Sequence, residues 1–257
     1  MERLRRCAAV YAAAVTVMSL GGCGAGTTGA DDVAPGTCAK GLAVPYEPAT
    51  MPSRTATDRV RVYLLHGLYD TYSLGLDQLA DKLNGMDLSA VIIGWYERQI
   101  APTLIEEAYA GYPGGTSVVL MGHSYGADDA ITLAEKLGEN NIPVDLLFLF
   151  DATTPKPIPA NVARCIQLYV PSLEGYLFPW FFAGNPVQPA EGNSRTQILN
   201  VPFVAEKFGT ASLGCANHYS LDVNTAAHNL AIQEVFRCVD PESYPDPSAA
   251  LAVPAQP

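Results

Sequence analysis

The feature that most constrains this chain is a Gly-His-Ser-Tyr-Gly pentapeptide at residues 122–126, between an apolar run at 117–121 and a helix-like stretch at 127–137. It fits the pattern G-x-S-x-G, in which a strand turns sharply into a helix and presents a serine at the tip. The glycines permit this strained turn, because a larger side chain on either side would collide with the strand or the helix. The pattern predicts that Ser124 is a nucleophile, and an ordinary glycine-rich turn is the alternative.

The first 22 residues have the composition of an export signal, with three arginines ahead of a short apolar stretch at 8–20. Leu20-Gly-Gly-Cys23 follows and fits a bacterial lipobox, in which Cys23 is lipidated and becomes the first mature residue. A plain signal peptide with an incidental cysteine is the alternative. No other stretch of the sequence is long and apolar enough to span a membrane. We therefore expect an exported protein of the bacterial cell envelope, periplasmic or on the outer surface, that is anchored to a membrane by lipid.

The chain is acidic, with 15 Lys and Arg against 26 Asp and Glu and a net charge of −11. Removal of residues 1–22, which carry three arginines and one glutamate, would leave about −13. This charge argues against nucleic acid or an anionic membrane surface as the main partner.

Four cysteines lie outside the signal and the predicted lipidation site: Cys38, Cys165, Cys215 and Cys238. An even number in an oxidising compartment indicates two disulfides, and the spacing fits no metal site. Cys215 and Cys238 flank a predicted helix that would separate them by roughly 25 Å, whereas a disulfide needs Cα atoms within about 7 Å. Cys165 begins a predicted strand at the edge where the last helix should finish, so we favour Cys165–Cys238 with Cys38–Cys215, and buried free thiols are the alternative.

Composition divides the chain into four parts. Residues 1–22 are the expected signal peptide, and residues 23–57, rich in Gly, Thr, Ala and Pro, are an expected tether and irregular lead-in. Residues 58–239 have the size of one domain, and residues 240–257, rich in Pro, Ala and Ser, are an expected disordered tail.

Within the domain, short apolar strands alternate with amphipathic helices. This alternation predicts an α/β fold, a mostly parallel sheet with helices on both faces, whose ligand site lies at the carboxyl ends of the strands. The predicted strands are 59–65, 90–93, 117–121, 144–150, 166–170 and 197–201, and the predicted helices are 73–83, 104–109, 127–137 and 221–238.

A serine hydroxyl needs a base within hydrogen-bond reach, and the base needs an acid that fixes its tautomer. Of the four histidines, His218 lies in a loop between the last strand and the last helix, where the base stands in the chain order Ser…Asp…His. We expect His66 to pack under the oxyanion loop, His123 to point away from the exposed side of the serine, and His228 to be structural.

The acid has two candidates. Asp151 ends the apolar strand at 144–150, so its carboxylate would project at the sheet edge that carries Ser124, although a turn or helix-cap role is also open. Glu174 follows the next strand and is the alternative acid. Asp222 is too close to His218 in sequence to reach its far nitrogen easily. We favour Asp151.

An oxyanion hole needs two backbone N–H groups aimed at the developing negative charge. One is expected from Tyr125, the residue after the nucleophile, and the other from Leu68, which follows His66-Gly67.

Together, Leu64-Leu-His-Gly-Leu68, Gly122-His-Ser-Tyr-Gly126, Asp151 and Asn217-His-Tyr-Ser-Leu-Asp222 resemble the α/β-hydrolase superfamily over roughly residues 59–238. The position of the acid is similar to that in the thioesterase branch. The resemblance implies the α/β-hydrolase fold and a serine hydrolase of the esterase, lipase or thioesterase type. The first two strands usual for that fold are not evident, which leaves open a sheet that lacks them.

The substrate is less constrained. The stretch 169–185 is rich in aromatic residues, and we expect Tyr176, Phe178 and Trp180 to line an apolar pocket over Ser124; burial against the sheet is the alternative. No metal cluster, phosphate loop or dinucleotide fingerprint is evident, so no cofactor and no metal are expected. The expected reaction is hydrolysis of a small-molecule carboxylic ester or thioester through an acyl-enzyme. The alternative is a non-catalytic envelope lipoprotein that uses the same scaffold to bind a ligand or partner. The sequence does not indicate the oligomeric state.

Overall fold

A computed structural model of the chain describes residues 57–70, 73–112, 115–171, 186–204, 217–242, 244 and 246. In these ranges strands and helices alternate along the chain. The strands are β1 (Val60–Leu65), β2 (Ser89–Ile93), β3 (Ser117–His123), β4 (Val144–Phe150), β5 (Val162–Tyr169) and β6 (Gln197–Pro202), and the α-helices are α1 (Leu74–Asn84), α2 (Ala101–Ala110), α3 (Tyr125–Glu139) and α4 (Thr225–Val239).

The six strands form one sheet in the order β2-β1-β3-β4-β5-β6, and every neighbouring pair is parallel. The central strands β1, β3 and β4 are apolar and buried almost throughout, as strands covered on both faces must be. The carboxyl ends of β3 and β4 lie side by side, with His123 paired to Phe150. The predicted α/β architecture is confirmed.

Helices cover both faces of the sheet. On one face α1 and α4 pack through side chains such as Leu79 and Phe236 against Phe148. On the other face α2 and α3 pack through side chains such as Leu137 against Leu147. Burial of each large apolar side chain contributes about 1.5–3 kcal/mol, so both helical layers are held mainly by apolar packing.

Several element boundaries differ from the predicted ones. Helix α2 starts at Ala101, three residues earlier than predicted, with a proline in its first turn, where a missing N–H costs nothing. Helix α4 starts at Thr225 rather than at 221, because the Asn224 side chain caps it by accepting hydrogen bonds from two N–H groups of its first turn. Two short 3-10 helices, Leu68–Asp70 and Trp95–Glu97, were not predicted.

The predicted Cys165–Cys238 disulfide is wrong, because both residues are free thiols. Cys165 packs in the core beneath α2 and α3, whereas Cys238 packs on the α1 and α4 side, so the sheet separates them. Successive side chains of a strand point to opposite faces, and it is Arg164, the neighbour of Cys165, that reaches Glu234 of α4. Burial raises the pKa of the Cys165 thiol, and burial raises that of Cys238 to about 12.

The remaining predictions about the ends of the domain concern residues outside the described ranges. The tail expected from residue 240 is an exception in its first residues, because Tyr244 is buried and stacks on Phe236, and Asp246 pairs with Arg164. The predictions that lie outside the described ranges are the signal at 1–22, the tether and lead-in at 23–56, the tail beyond residue 246, the question of strands before β1, and the Cys38–Cys215 pair. They stay predictions.

Candidate active site

Ser124 stands at the sharp turn between β3 and α3. Its backbone has φ 59° and ψ −127°, a left-handed conformation that is rare for a residue with a side chain. The Ser124 N–H donates to the Phe150 carbonyl at 3.0 Å, which ties the turn to the end of β4. A Cβ on Gly122 would lie 2.2 Å from the Gly126 carbonyl oxygen, and one on Gly126 would lie 2.1 Å from the Leu65 carbonyl oxygen. Both glycines are therefore required by close backbone contacts.

Asp151 follows β4 directly, one strand away from Ser124. It is buried, and its φ of 51° turns the chain away from the sheet. Its N–H donates to the Leu168 carbonyl of β5 at 2.8 Å, so the turn is fixed by the neighbouring strand.

His218 lies between these two side chains. Its Nε2 is 2.8 Å from the Ser124 hydroxyl oxygen, and its Nδ1 is 3.0 Å from Asp151 Oδ2. Because a carboxylate only accepts, Nδ1 carries the proton and Nε2 is left to accept from the serine hydroxyl. The structure thus brings the predicted nucleophile, base and acid into one hydrogen-bonded chain.

The other carboxylates considered for the acid differ in their placement. Asp222 directs Oδ2 at the Gly75 N–H of α1, at 2.9 Å. Burial raises the pKa of Asp222 to about 7, although the hydrogen bond from Gly75 lowers it. Glu174 lies outside the described residues.

The two expected oxyanion donors lie on segments that flank Ser124. Tyr125 is the first residue of α3, and Leu68 is the first residue of the 3-10 helix that follows Gly67. Gly67 lies against the serine, since a Cβ built on it would be 3.5 Å from Ser124 Cβ. The Gly67 N–H itself is used by Ser73 Oγ at 2.7 Å.

A buried histidine next to Ser124 connects these loops. His123 Nδ1 accepts from the Ser73 hydroxyl at 2.9 Å, and His123 Nε2 donates to the main-chain carbonyl of His218 at 2.7 Å. Burial, together with the nearby His218, lowers the pKa of His123 to about 3, so its ring is neutral at ordinary pH. The prediction that His123 points away from the exposed side of the serine is compatible with this arrangement. Its link to the loop of His218 was missed, because nothing local in the sequence indicates it.

Asp128 was also missed as part of the site's support. It lies in the first turn of α3 and accepts hydrogen bonds from the Thr153 hydroxyl and from the N–H and hydroxyl of Thr154. Burial raises its pKa, which these hydrogen bonds oppose. Asp128 thereby fixes the turn that follows Asp151 to the helix that follows Ser124.

His228 and His66 lie outside the serine-to-carboxylate chain. His228 Nδ1 is 2.8 Å from Lys82 Nζ, and its Nε2 donates to the Asp222 carbonyl. Burial and the Lys82 charge lower the pKa of His228 to about 4, which fits the structural role that was expected. His66 is buried with Nε2 3.1 Å from Asp77.

Other predicted site residues lie outside the described ranges. These are the pocket residues Tyr176, Phe178 and Trp180 and the lipidation residue Cys23. Among the residues that are described, no helix is long and apolar enough to cross a bilayer, and no group of three or more His, Cys, Asp or Glu side chains could hold a metal ion.

No protein-family model matches the sequence, and no curated protein matches it. Solved structures with a similar chain path include the NocB thioesterase domain, at 13% identity and a TM-score of 0.43 over 72% of this chain and 96% of that one. The RedJ thioesterase of Streptomyces coelicolor is 12% identical, with a TM-score of 0.42 over 75% and 96% of the two chains. A cutinase-like protein from Cryptococcus sp. is 14% identical, with a TM-score of 0.40 over 72% and 98%. Since these similarities are distant, the function is inferred from the site itself.

Proposed function

We propose that this protein is a serine hydrolase that cleaves carboxylic esters through an acyl-enzyme on Ser124. The observation that carries the proposal is the chain of two hydrogen bonds from Ser124 Oγ to His218 Nε2, at 2.8 Å, and from His218 Nδ1 to Asp151 Oδ2, at 3.0 Å. A nucleophile, a base and an orienting carboxylate in this order are the parts that acyl transfer requires.

In the acylation step Ser124 Oγ forms a bond to the carbonyl carbon of the ester, and its proton moves to His218 Nε2. The carbonyl oxygen becomes an oxyanion, for which the Tyr125 and Leu68 N–H groups are the proposed donors. The bond from carbon to the leaving oxygen then breaks, and His218 returns the proton to that oxygen. The products are an alcohol and an ester of Ser124.

In the deacylation step water takes the place of the serine. His218 Nε2 accepts a proton as the water oxygen bonds to the acyl carbon, and the bond to Ser124 Oγ breaks. The proton passes to Ser124 Oγ, and a carboxylic acid leaves. Asp151 accepts from His218 Nδ1 and stabilises the imidazolium that forms in both steps.

A thioester fits the same steps with sulfur as the leaving atom, so both substrate types belong to the test. The contrasting hypothesis is a scaffold that binds a ligand without catalysis. The two hypotheses differ in whether Ser124 reacts with an electrophile.

The test is labelling of the full chain with a fluorophosphonate, which forms a covalent bond to activated serines. We expect labelling of the wild type and of Ser194→Ala, an exposed serine used as a control, and loss of labelling in Ser124→Ala and His218→Ala. Hydrolysis of p-nitrophenyl butyrate and of a butyryl thioester should follow the same pattern. A folded wild type that neither labels nor hydrolyses would contradict the proposal and favour the non-catalytic scaffold.

Two further proposals rest on the sequence alone. The first is that Tyr176, Phe178 and Trp180 line the acyl pocket. We then expect Trp180→Ala to change the preference between short and long acyl esters, and an unchanged preference would contradict this proposal.

The second is that Cys23 carries lipid and anchors the protein in a bacterial envelope. It expects incorporation of a palmitate analogue that Cys23→Ala abolishes.

A further inference from the structure

Arg98 lies between the 3-10 helix Trp95–Glu97 and α2, and its side chain turns inward to the site. It is only 14% exposed, its guanidinium lies 4.2 Å over the Trp95 ring, and it pairs with Asp129 of α3. One of its nitrogens, Nη2, donates to two consecutive main-chain carbonyls, those of His66 and Gly67, the latter at 3.2 Å. These carbonyls belong to the loop that carries the expected oxyanion donor Leu68.

The contact fixes the orientation of two successive peptide groups. In a trans peptide the C=O and the N–H point in opposite directions, and the described residues contain no cis peptide. In the His66–Gly67 peptide, Arg98 binds the C=O and Ser73 Oγ accepts from the N–H at 2.7 Å. That group is therefore held at both ends.

The next peptide, Gly67–Leu68, is held differently. Arg98 donates to its C=O at 3.2 Å, and the Asp70 N–H also donates to it, at 3.4 Å, so the N–H of this peptide points away from the guanidinium. Within the part of the chain that the structure describes, no acceptor is bonded to the Leu68 N–H. Gly67 meanwhile lies beside the nucleophile, 3.5 Å from Ser124 Cβ for an added Cβ.

We propose that Arg98 is a positioning residue for the oxyanion hole: by binding the Gly67 carbonyl it aims the Leu68 N–H at the oxyanion and polarises it as a donor. This inference rests on the proposed function. A hydrogen bond to one end of a peptide strengthens the donor at the other end, and a charged partner strengthens it more. Burial lowers the pKa of Arg98 to about 10 and nearby Asp70 raises it, so the guanidinium is charged at neutral pH.

Arginine suits this position better than lysine does. The guanidinium has five N–H donors in a planar fork, which lets it bind Asp129 and two carbonyls at once and stack on Trp95. An ammonium lacks the planar fork and the stacking face. The position of Trp95 is itself fixed, since its main-chain N–H donates to Asp70 Oδ1 at 2.8 Å.

The experiment compares Arg98→Met and Arg98→Lys with Arg195→Met, a control at an exposed arginine in the segment before β6. For each variant of the full chain, kcat and KM are measured with p-nitrophenyl butyrate, and Ki with an alkyl trifluoromethyl ketone. That ketone forms a tetrahedral oxyanion on serine and so reports on the oxyanion hole separately from ground-state binding. Fluorophosphonate titration gives the active fraction, and thermal melting gives the folded fraction.

For Arg98→Met we expect kcat to fall about 10- to 100-fold with KM nearly unchanged, because the Leu68 donor contributes in the transition state. The Ki of the ketone should rise in the same proportion as kcat/KM falls, and Arg98→Lys should be intermediate. The control should match the wild type.

The inference is overturned if kcat of folded Arg98→Met equals that of the wild type, or if kcat falls while Ki stays constant. It is also overturned if the loss lies in KM. If Arg98→Met does not fold, the kcat, KM and Ki of Arg98→Lys are judged by the same criteria. A wild type that fails to label and to hydrolyse overturns the proposed function itself, which distinguishes that failure from the failure of the Arg98 inference.

Discussion

The Nε2–H of His123 donates a hydrogen bond of 2.7 Å to the main-chain carbonyl of His218. The same ring accepts from the Ser73 hydroxyl, whose oxygen accepts from the Gly67 N–H. One buried, neutral imidazole therefore joins the loop of the proposed oxyanion hole to the loop of the proposed base. The residue that precedes Ser124 therefore holds the backbone of the residue proposed to activate that serine.

Replacement of His123 tests this connection. His123→Leu leaves the Ser73 hydroxyl and the His218 carbonyl without this partner, so we expect about 1–3 kcal/mol less stability and about ten-fold lower kcat. His123→Gln carries an amide donor near the position of Nε2 and should recover part of both losses. Ester hydrolysis and urea unfolding measure the two effects, and a wild-type kcat in folded His123→Leu would contradict the argument.

Asp151→Asn should lower kcat by about 10³- to 10⁴-fold with little change in KM, because an amide favours the wrong tautomer of the base. The carboxylate is buried and 3.0 Å from His218 Nδ1, so water cannot easily replace it. Asp81→Asn, at an exposed position on α1, is the matched control. If Asp151→Asn kept most of the activity, another carboxylate such as Glu174 would have to orient His218.

Asp222→Asn should change how stability depends on pH. Burial raises the pKa of Asp222 to about 7 in the folded state, above the ordinary value of 3.8. Between these two pH values the folded state binds more protons than the unfolded state, so the wild type loses stability as the pH rises from about 4 to about 7. Asparagine does not titrate, and its side-chain oxygen can accept from Gly75 in the same way.

We therefore expect the stability of Asp222→Asn relative to the wild type to increase between pH 4 and pH 7, by on the order of 4 kcal/mol at most, and to stay level above that range. Urea unfolding at several pH values measures the difference. Asp81→Asn is measured beside it as the control, and a pH-independent difference for Asp222→Asn would refute the expectation.

The ion pair between β5 and α4 gives a prediction about stability. Arg164 binds both oxygens of Glu234, at 2.7 and 2.9 Å, and Glu234 is fully buried. Glu234→Ala should lower the free energy of unfolding by about 3 kcal/mol, because it removes one partner of a buried ion pair. Arg164 keeps its contact with Asp246, which limits the loss. The double variant Arg164→Met with Glu234→Leu should be closer to the wild type. Urea unfolding compares the two, and equal losses in both would show that packing rather than charge is decisive.

The sequence predicted the arrangement of Ser124 and Asp151 because both follow directly from strand order. Each comes after an apolar run, and the carboxyl ends of neighbouring parallel strands share one edge of the sheet. The loop of His218 could be chosen by its place in the chain, although its distance from Ser124 could not be read from spacing.

The wrong cysteine pairing and the contacts that were not predicted both depend on the direction in which a side chain points. The Cys165–Cys238 pairing was wrong because a shift of one residue along β5 changes the face of the sheet, and Arg164 takes the face toward α4. The contacts of Arg98 and His123 join segments that are 31 and 95 residues apart in sequence, and no local pattern announces them.

The contacts of the proposed triad span long stretches of chain, since His218 is 94 residues from Ser124 and 67 residues from Asp151. All described strands are parallel, so no neighbouring pair can form through a tight hairpin, and each pairing must wait for a crossover. During synthesis the segments that carry Ser124 and Asp151 therefore leave the ribosome well before His218, the proposed base. The proposed triad is complete only when the segment from residue 217 through α4 has docked, so recovery of the proposed esterase activity would be a stricter measure of complete refolding than recovery of helix content.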